Sequence, residues 1–318
     1  MAIALSALTM PALAADAPFP NRPVRMLIPY PAGGGLDLPG RAVAQKFADA
    51  TGQQMVIDNR GGAGGLIAGE IVAKSTPDGY TLLLASNGQI SIAPALYAKL
   101  PYHPLNDFVP ITHFVDTPMV LFVNSQYPVQ SVADLIAAAK AKPGTIGCAL
   151  SGVGGVSHLT LELFKLKAGL NLTHIPYKGG AGPATLAVLG GEVAATMLTV
   201  ASFIPHVKGG KAKVLAVVAP KRVSQLPDTP TMAESGFPEL LLGSWQGVSV
   251  PAGTSRAIVN RLYTAIIKTM NDPETVKRLA SGGAEVVTSK SPAEFAAFLQ
   301  TQTEFWAKLV KQTGAVAE

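Results

Sequence analysis

A chain of 318 residues has room for two ordinary domains, each with its own core. Its composition, 48% hydrophobic and only 14% charged, excludes a disordered protein. The formal charge of +5 favours anionic small molecules, but no run of Lys or Arg is interleaved with aromatics, which excludes a nucleic-acid surface.

From the N-terminus, Met1 to Ala17 is apolar and closes on Ala12-Leu13-Ala14, a small-x-small pattern. It predicts a secretory signal peptide over residues 1–17, truncated because a Lys/Arg-rich leader is missing, and hence export to a periplasm. No later stretch reaches the ~18 uninterrupted apolar residues of a membrane span. Val24 to Ile28 reads as a strand, followed by Pro29-Tyr30-Pro31-Ala32-Gly33-Gly34-Gly35-Leu36-Asp37 and a helix over Pro39 to Ala50, with Pro39 in the first turn. Met55 to Asp58 is a second strand, and Asn59-Arg60-Gly61-Gly62-Ala63-Gly64-Gly65 leads to a helix whose packing face is marked by Ile67 and Ile71 with Ala68 and Val72. The turn Thr76-Pro77-Asp78-Gly79 introduces a third strand, Tyr80 to Ala85.

The second half repeats that order. Thr145 to Leu150 is a strand, Ser151-Gly152-Val153-Gly154-Gly155-Val156-Ser157-His158 a glycine loop, and Leu159, Leu163 and Leu166 the stripe of a helix that ends at Gly169. Leu172 to Ile175, Pro183 to Leu189 and Val193 to Leu198 continue as strand, helix, strand. The apolar runs Val109–Phe114 and Val120–Val123 flank a first crossing between halves at Val115 to Met119, and a second crossing is expected at Leu242 to Gly247. Three helical stretches close the chain, the last opened by the capping box Ser291-Pro292-Ala293-Glu294 and packed through Phe295, Phe298, Leu299, Trp306 and Leu309.

Alternating strands and helices imply parallel sheets flanked by helices, with ligands beyond the carboxyl ends of the strands. Both glycine loops lie there. Each opens a helix, where exposed N–H groups and the helix dipole suit an anion. The expected fold is therefore α/β, two doubly wound domains joined by a two-strand hinge with a cleft between them. Domain 1 spans 18–117 and 246–318, and domain 2 spans 118–245.

Five segments carry a resemblance: Pro29 to Asp37; Asn59 to Gly65; Pro77-Asp78-Gly79-Tyr80-Thr81-Leu82-Leu83; His174-Ile175-Pro176-Tyr177-Lys178-Gly179; and Leu226 to Gly236. In this order and spacing the chain, from about Phe19 to its end, resembles the Bug family of periplasmic solute-binding proteins of tripartite tricarboxylate transporters. The resemblance implies a type II periplasmic-binding-protein fold and capture of a di- or tricarboxylate or an aromatic acid. It further implies delivery to membrane permease subunits. No cofactor, metal or catalysis is expected, and a monomer is the default for a protein that must open and close. Presentation to a sensor kinase is the alternative. Many relatives have Thr where this chain has Leu36, and commonly Asp near the position of Leu198. Losing that carboxylate argues against a ligand with an ammonium group.

The candidate ligand-binding residues follow. Ala32, Gly33, Gly34 and Gly35 form the first loop, as turn formers or as backbone donors. Asp37 beside an anion is unfavourable, so it reads first as a brace of the loop and helix, and second as a ligand contact. Ser151, Gly152, Gly154, Gly155 and Ser157 form the second loop; Ser157 is a hydroxyl donor or a helix cap. His158, in the first helical turn, is a carboxylate donor or a packed histidine. Asn87 reaches the cleft floor or is a turn residue, and Tyr177 and Thr199 end strands at the same face.

Two enzyme classes fit poorly. A dinucleotide site lacks a clean G-x-G-x-x-G, although Asp58 does end the second strand of the first unit. A hydrolase lacks a G-x-S-x-G elbow, an H-E-x-x-H spacing and paired carboxylates at the cleft. Cys148 is the only cysteine, so no internal disulfide forms, and its apolar strand makes it a packing residue.

Overall fold

The computed structural model describes residues 19–33, 35–177, 179–207 and 209–316; the signal segment and Gly34 lie outside the described residues. The chain begins β1 (Val24–Ile28), α1 (Asp37–Thr51), β2 (Met55–Asn59), α2 (Leu66–Ala73) and β3 (Thr81–Ser86). β1 pairs in parallel with both β2 and β3. Its Val24, Met26, Leu27 and Ile28 are wholly buried, as a strand covered by helices on both faces must be. In α2 the structure differs from the expected face: Leu66, Ala68, Gly69 and Val72 are buried, whereas Ile67 is 43% exposed. A helix of two turns has a stripe too short to fix its rotation, and the sheet selects the one with Leu66 inward.

A π-helical turn over Asn87–Ile92 and the short α3 (Ala93–Leu96) lead into β4 (Phe108–Asn124). This 17-residue strand replaces the two expected runs. It stays continuous because its partners change, not its backbone. Phe108 to Pro118 pairs with β9 (Gly243–Pro251), while Met119 to Asn124 pairs with β7 (Ala195–Thr199) and β8 (Ala212–Val218). Pro118, which has no N–H to offer a ladder, sits at the change of partner.

Beyond β4 come α4 (Val132–Ala141), β5 (Gly147–Leu150), α5 (Val156–Ala168), β6 (Thr173–Pro176), α6 (Ala181–Leu189), β7, α7 (Val200–Val207) and β8. β5 is parallel to β6 and β7. The continuous strand order is β2-β1-β3-β9-β4-β7-β5-β6, with β8 and the short β10 (Glu285–Val286) also on β4. Each half thus has a parallel trio with its first strand central, then an antiparallel strand arriving from the other half. This makes two α/β lobes whose switch points face each other.

After β9, α8 (Arg256–Met270) and α9 (Pro273–Ser281) pack on the first core through Val259, Leu262, Ile266, Met270 and Leu279. The last helix, α10 (Pro292–Thr313), serves both lobes. Phe295 and Leu299 join the core around β3, whereas Trp306, Leu309 and Val310 join the core around α5. Its N-cap is formed as expected, Ser291 Oγ accepting from Glu294 N at 3.2 Å, but Glu294 returns its carboxylate to Lys290 N, one residue before the cap. Cys148 is buried, and burial pushes its thiol up to about 12. It packs.

Candidate ligand-binding site

The loops after β1, β2, β3, β5, β6 and β7 all face one cavity of about 420 Å³ between the lobes. None of the described residues lining it carries a formal charge. From these described residues an anion held there meets dipoles and hydroxyls.

The second lobe supplies three helix N-termini. Gly155 precedes α5 as its N-cap, Gly180 precedes α6, and α7 follows Thr199 directly. The first N–H groups of a helix have no partner within it, and the dipole adds partial positive charge. Among the described residues, no hydrogen bond occupies the N–H of Gly152, Gly155, Val156 or Ser157. Ser157 Oγ lies 2.8 Å from Ser151 Oγ and accepts from Ser151 N at 3.2 Å, which ties the loop to the helix and leaves a hydroxyl pair at the cavity wall. Thr199 and Ser202, 3.0 Å apart through their hydroxyls, form a second pair.

The first lobe behaves differently. The N–H of Gly33 donates to Asp37 Oδ2 at 3.0 Å, Asn59 Nδ2 donates to Oδ1 at 3.0 Å, and Arg41 Nε donates to Oδ2 at 2.8 Å. Burial works to raise the Asp37 pKa, but these three bonds outweigh it and hold the carboxyl below the usual carboxylate range. The anion position of this loop is filled by the protein's own carboxylate. What the first lobe offers to the cavity is Tyr30, Leu36, Leu66, Leu96 and Tyr97, an apolar and aromatic wall. The site is polar at one lobe and apolar at the other.

The lobes meet around the cavity. A methyl built on Gly35 would lie 3.5 Å from Thr199 Oγ1, and one on Gly154 would lie 2.7 Å from Leu96 Cδ1. Gln225 Nε2 donates to the carbonyl of Ala280 across the same divide. The two lobes are in contact in this conformation, with Met119 and Ser244 of the crossing strands among the residues that line the cavity.

Of the residues expected from sequence, Ala32, Gly33, Gly35, Ser151, Gly152, Gly154, Gly155, Ser157 and Thr199 line the cavity. Gly34 lies outside the described residues. Four others stand off the wall. Asp37 is spent on its own loop. Asn87 is buried, accepting from Trp245 N at 3.0 Å and donating to the Gly243 carbonyl at 3.3 Å, so it fastens β3 to the start of β9. Tyr177 donates its hydroxyl to Glu192 at 2.7 Å and packs on the core around β7. His158 turns Nδ1 back to accept from Gly154 N at 3.1 Å.

Sequence reasoning missed the α6 N-terminus, where Gly179, Gly180, Ala181 and Gly182 line the cavity. The signal was present: a glycine pair between a strand and a helix, the pattern that marked the other two loops. Asp58, the residue a dinucleotide reading would need, is bound by Arg25 Nε at 2.8 Å and Arg60 Nε at 2.9 Å.

Behind the second loop, His158, Glu162 and His174 bring their ligand atoms within 4.8 Å of one another, the donor set of a metal centre. Two features oppose that use. The Lys165 ammonium fills the space, 2.9 Å from Glu162 Oε1 and 3.3 Å from His174 Nε2. A neutral His158 accepting at Nδ1 carries its proton on Nε2, the nitrogen a metal would need. Burial raises the Glu162 pKa, but hydrogen bonds from His174 and Lys165 overcome it and hold it down at about 2.

A family profile described as the tripartite tricarboxylate transporter family receptor matches residues 40–315. The chain is similar to Protein BugT of Bordetella pertussis, 38% identical over 298 residues that make up 93% of this chain and 91% of that protein. Among solved structures it is similar to the periplasmic binding protein BugD, at 35% identity and a TM-score of 0.86, over 94% of this chain and 100% of that one. It is also similar to R. palustris Rpa4515 with adipate, at 33% identity and a TM-score of 0.89, over 94% and 100%. The fold of two α/β lobes is that of the periplasmic binding proteins, and the chain belongs to the tripartite tricarboxylate transporter receptor family.

Proposed function

We propose that this chain is an extracytoplasmic receptor that captures a dicarboxylate with an aliphatic or aromatic body, bears no catalytic function, and presents its ligand to membrane permease subunits. The observation that carries this reading is the cavity whose described lining residues bear no formal charge, with three helix N-termini on one side and an apolar wall on the other. Each hydrogen bond to a charged carboxylate contributes about 1.5–3 kcal/mol, so a few N–H and hydroxyl donors reach micromolar affinity, about −8 kcal/mol, without an arginine. Among the described residues no acidic side chain lines the cavity to receive an ammonium group, and Leu36 and Leu198 both face it. The adipate bound to Rpa4515 is an acid of this kind.

The lobes of the working clamp are taken as 18–117 with 246–318, and 118–245. The partner switch at Pro118 and Met119 supports the first hinge position, and the register of Gly243 against Pro118 supports the second. A monomer in the periplasm fits the signal-peptide pattern and the opening that capture requires. A thermal-shift screen of carboxylic acids tests the reading: dicarboxylates raise the melting temperature and matched amino acids do not. Stabilisation by cationic or neutral ligands alone would overturn it.

A further inference from the structure

Gly154 adopts φ of +76° and Gly152 φ of +144°, conformations that a glycine-rich loop visits but does not hold unaided. Among the described residues, two side chains tether the 151–155 loop: Ser157, which binds Ser151, and His158, which binds Gly154. We infer that His158 is a positioning residue for the anion loop: its neutral ring, protonated on Nε2, holds the Gly154 backbone so that the neighbouring N–H groups face the cavity. The inference rests on the carboxylate reading of that cavity.

The chemistry around the ring supports a single tautomer. A backbone N–H can only donate, so Nδ1 must present a lone pair. Nε2–H then points toward Glu162 Oε1, 4.0 Å away. Among the described residues, the groups around the ring include Glu162 and Lys165 from its own helix and His174 from β6, whose ring stands edge-on at 5.1 Å. From α10, which packs across α5, no charged side chain is bonded to the cluster among the described residues. Glu162 keeps its charge across the working range, so the ring is the switchable partner of Gly154.

Protonating the ring places Nδ1–H against Gly154 N–H. Two donors cannot share one bond, and the loop must shift. Carboxylate affinity is therefore present above the ring's pKa and falls as pH drops through it, by roughly tenfold for the loss of one positioned donor set.

The test reads the ring first, without ligand. Nitrogen-15 NMR of the unliganded protein at pH 7.5 should show His158 as the Nε2–H tautomer, and the Gly154 amide shift should step with the His158 titration. The step should vanish in His158→Asn, whose Oδ1 replaces the acceptor without titrating, and persist in His174→Gln. An Nδ1–H tautomer, or a Gly154 amide indifferent to His158, would overturn the inference whether or not any acid binds. Adipate calorimetry at pH 7.5 and 5.5 then tests the consequence. The loss of affinity should be about tenfold steeper in the wild type than in His158→Asn, and parallel slopes would overturn the positioning role while leaving carboxylate binding intact.

Discussion

Replacing Gly154 with alanine should weaken ligand binding by closing resistance rather than by unfolding. The backbone there has φ of +76°, which costs an L-residue about 1–2 kcal/mol, and that cost falls on the open and closed forms alike. The new methyl would stand 2.7 Å from Leu96 Cδ1, against the 3.4–4 Å of ordinary contact, and Leu96 belongs to the opposite lobe. Leu96 Cδ1 is the far end of a flexible side chain that can give way, so the overlap costs about 1 kcal/mol, the low end of the usual overpacking range. Because it arises only when the lobes meet, it raises Kd by roughly 5-fold. Leu96→Ala removes the clashing atom, so the double variant should recover the overlap cost, and the double-mutant cycle should return a coupling near that value. Calorimetry with a bound dicarboxylate on the four proteins, with melting temperatures alongside, measures it. If Gly154→Ala weakens binding equally with and without Leu96, the two loops do not meet in the liganded state and the closed geometry is wrong.

Asp37→Asn should lower stability by about 2 kcal/mol through loss of charge-assisted bonds from Gly33, Arg41 and Asn59, read by urea unfolding. The folded Asp37 carboxyl has a depressed pKa, so its contribution is present above the ~3.9 of an unfolded aspartate and is lost as pH falls through the folded value; the variant's stability curve should be flatter in that acid range. Gly182→Ala places a methyl with no protein atom within 4 Å at the cavity-lining start of α6. It should leave melting unchanged or raise stability by up to ~1 kcal/mol, while reducing affinity because ligand and methyl compete for the same space; unaltered affinity would remove α6 from the site.

The elements legible in the sequence were those whose cause is local. Strand, glycine loop and helix recur within about fifteen residues, and the capping box at Ser291 is a four-residue signal, so both loops and α10 follow from the chain alone. What stayed hidden depends on partners far along the chain. Asp37 reads as a brace, but its destination needs Asn59, held by a strand that begins eighteen residues later. Val115 to Met119 reads as a crossing between two runs, yet one strand runs through it because β9 ends where β7 and β8 begin. His158 looks ambiguous because its answer lies in the φ of Gly154 and in His174 from another strand. The amphipathic face of α10 is plain, but nothing in it says that Phe295 and Trp306 enter different cores.

We propose that a cavity whose described lining residues bear no formal charge holds a carboxylate by helix N-termini and hydroxyls, with no acidic seat for an ammonium group among those residues. Calorimetry with adipate, adipamide and 2-aminoadipate at one pH tests it most directly. The account predicts micromolar binding of adipate, loss of binding for the diamide, and a marked penalty for the amino acid. Equal affinity for adipate and adipamide, or preference for 2-aminoadipate, would contradict it.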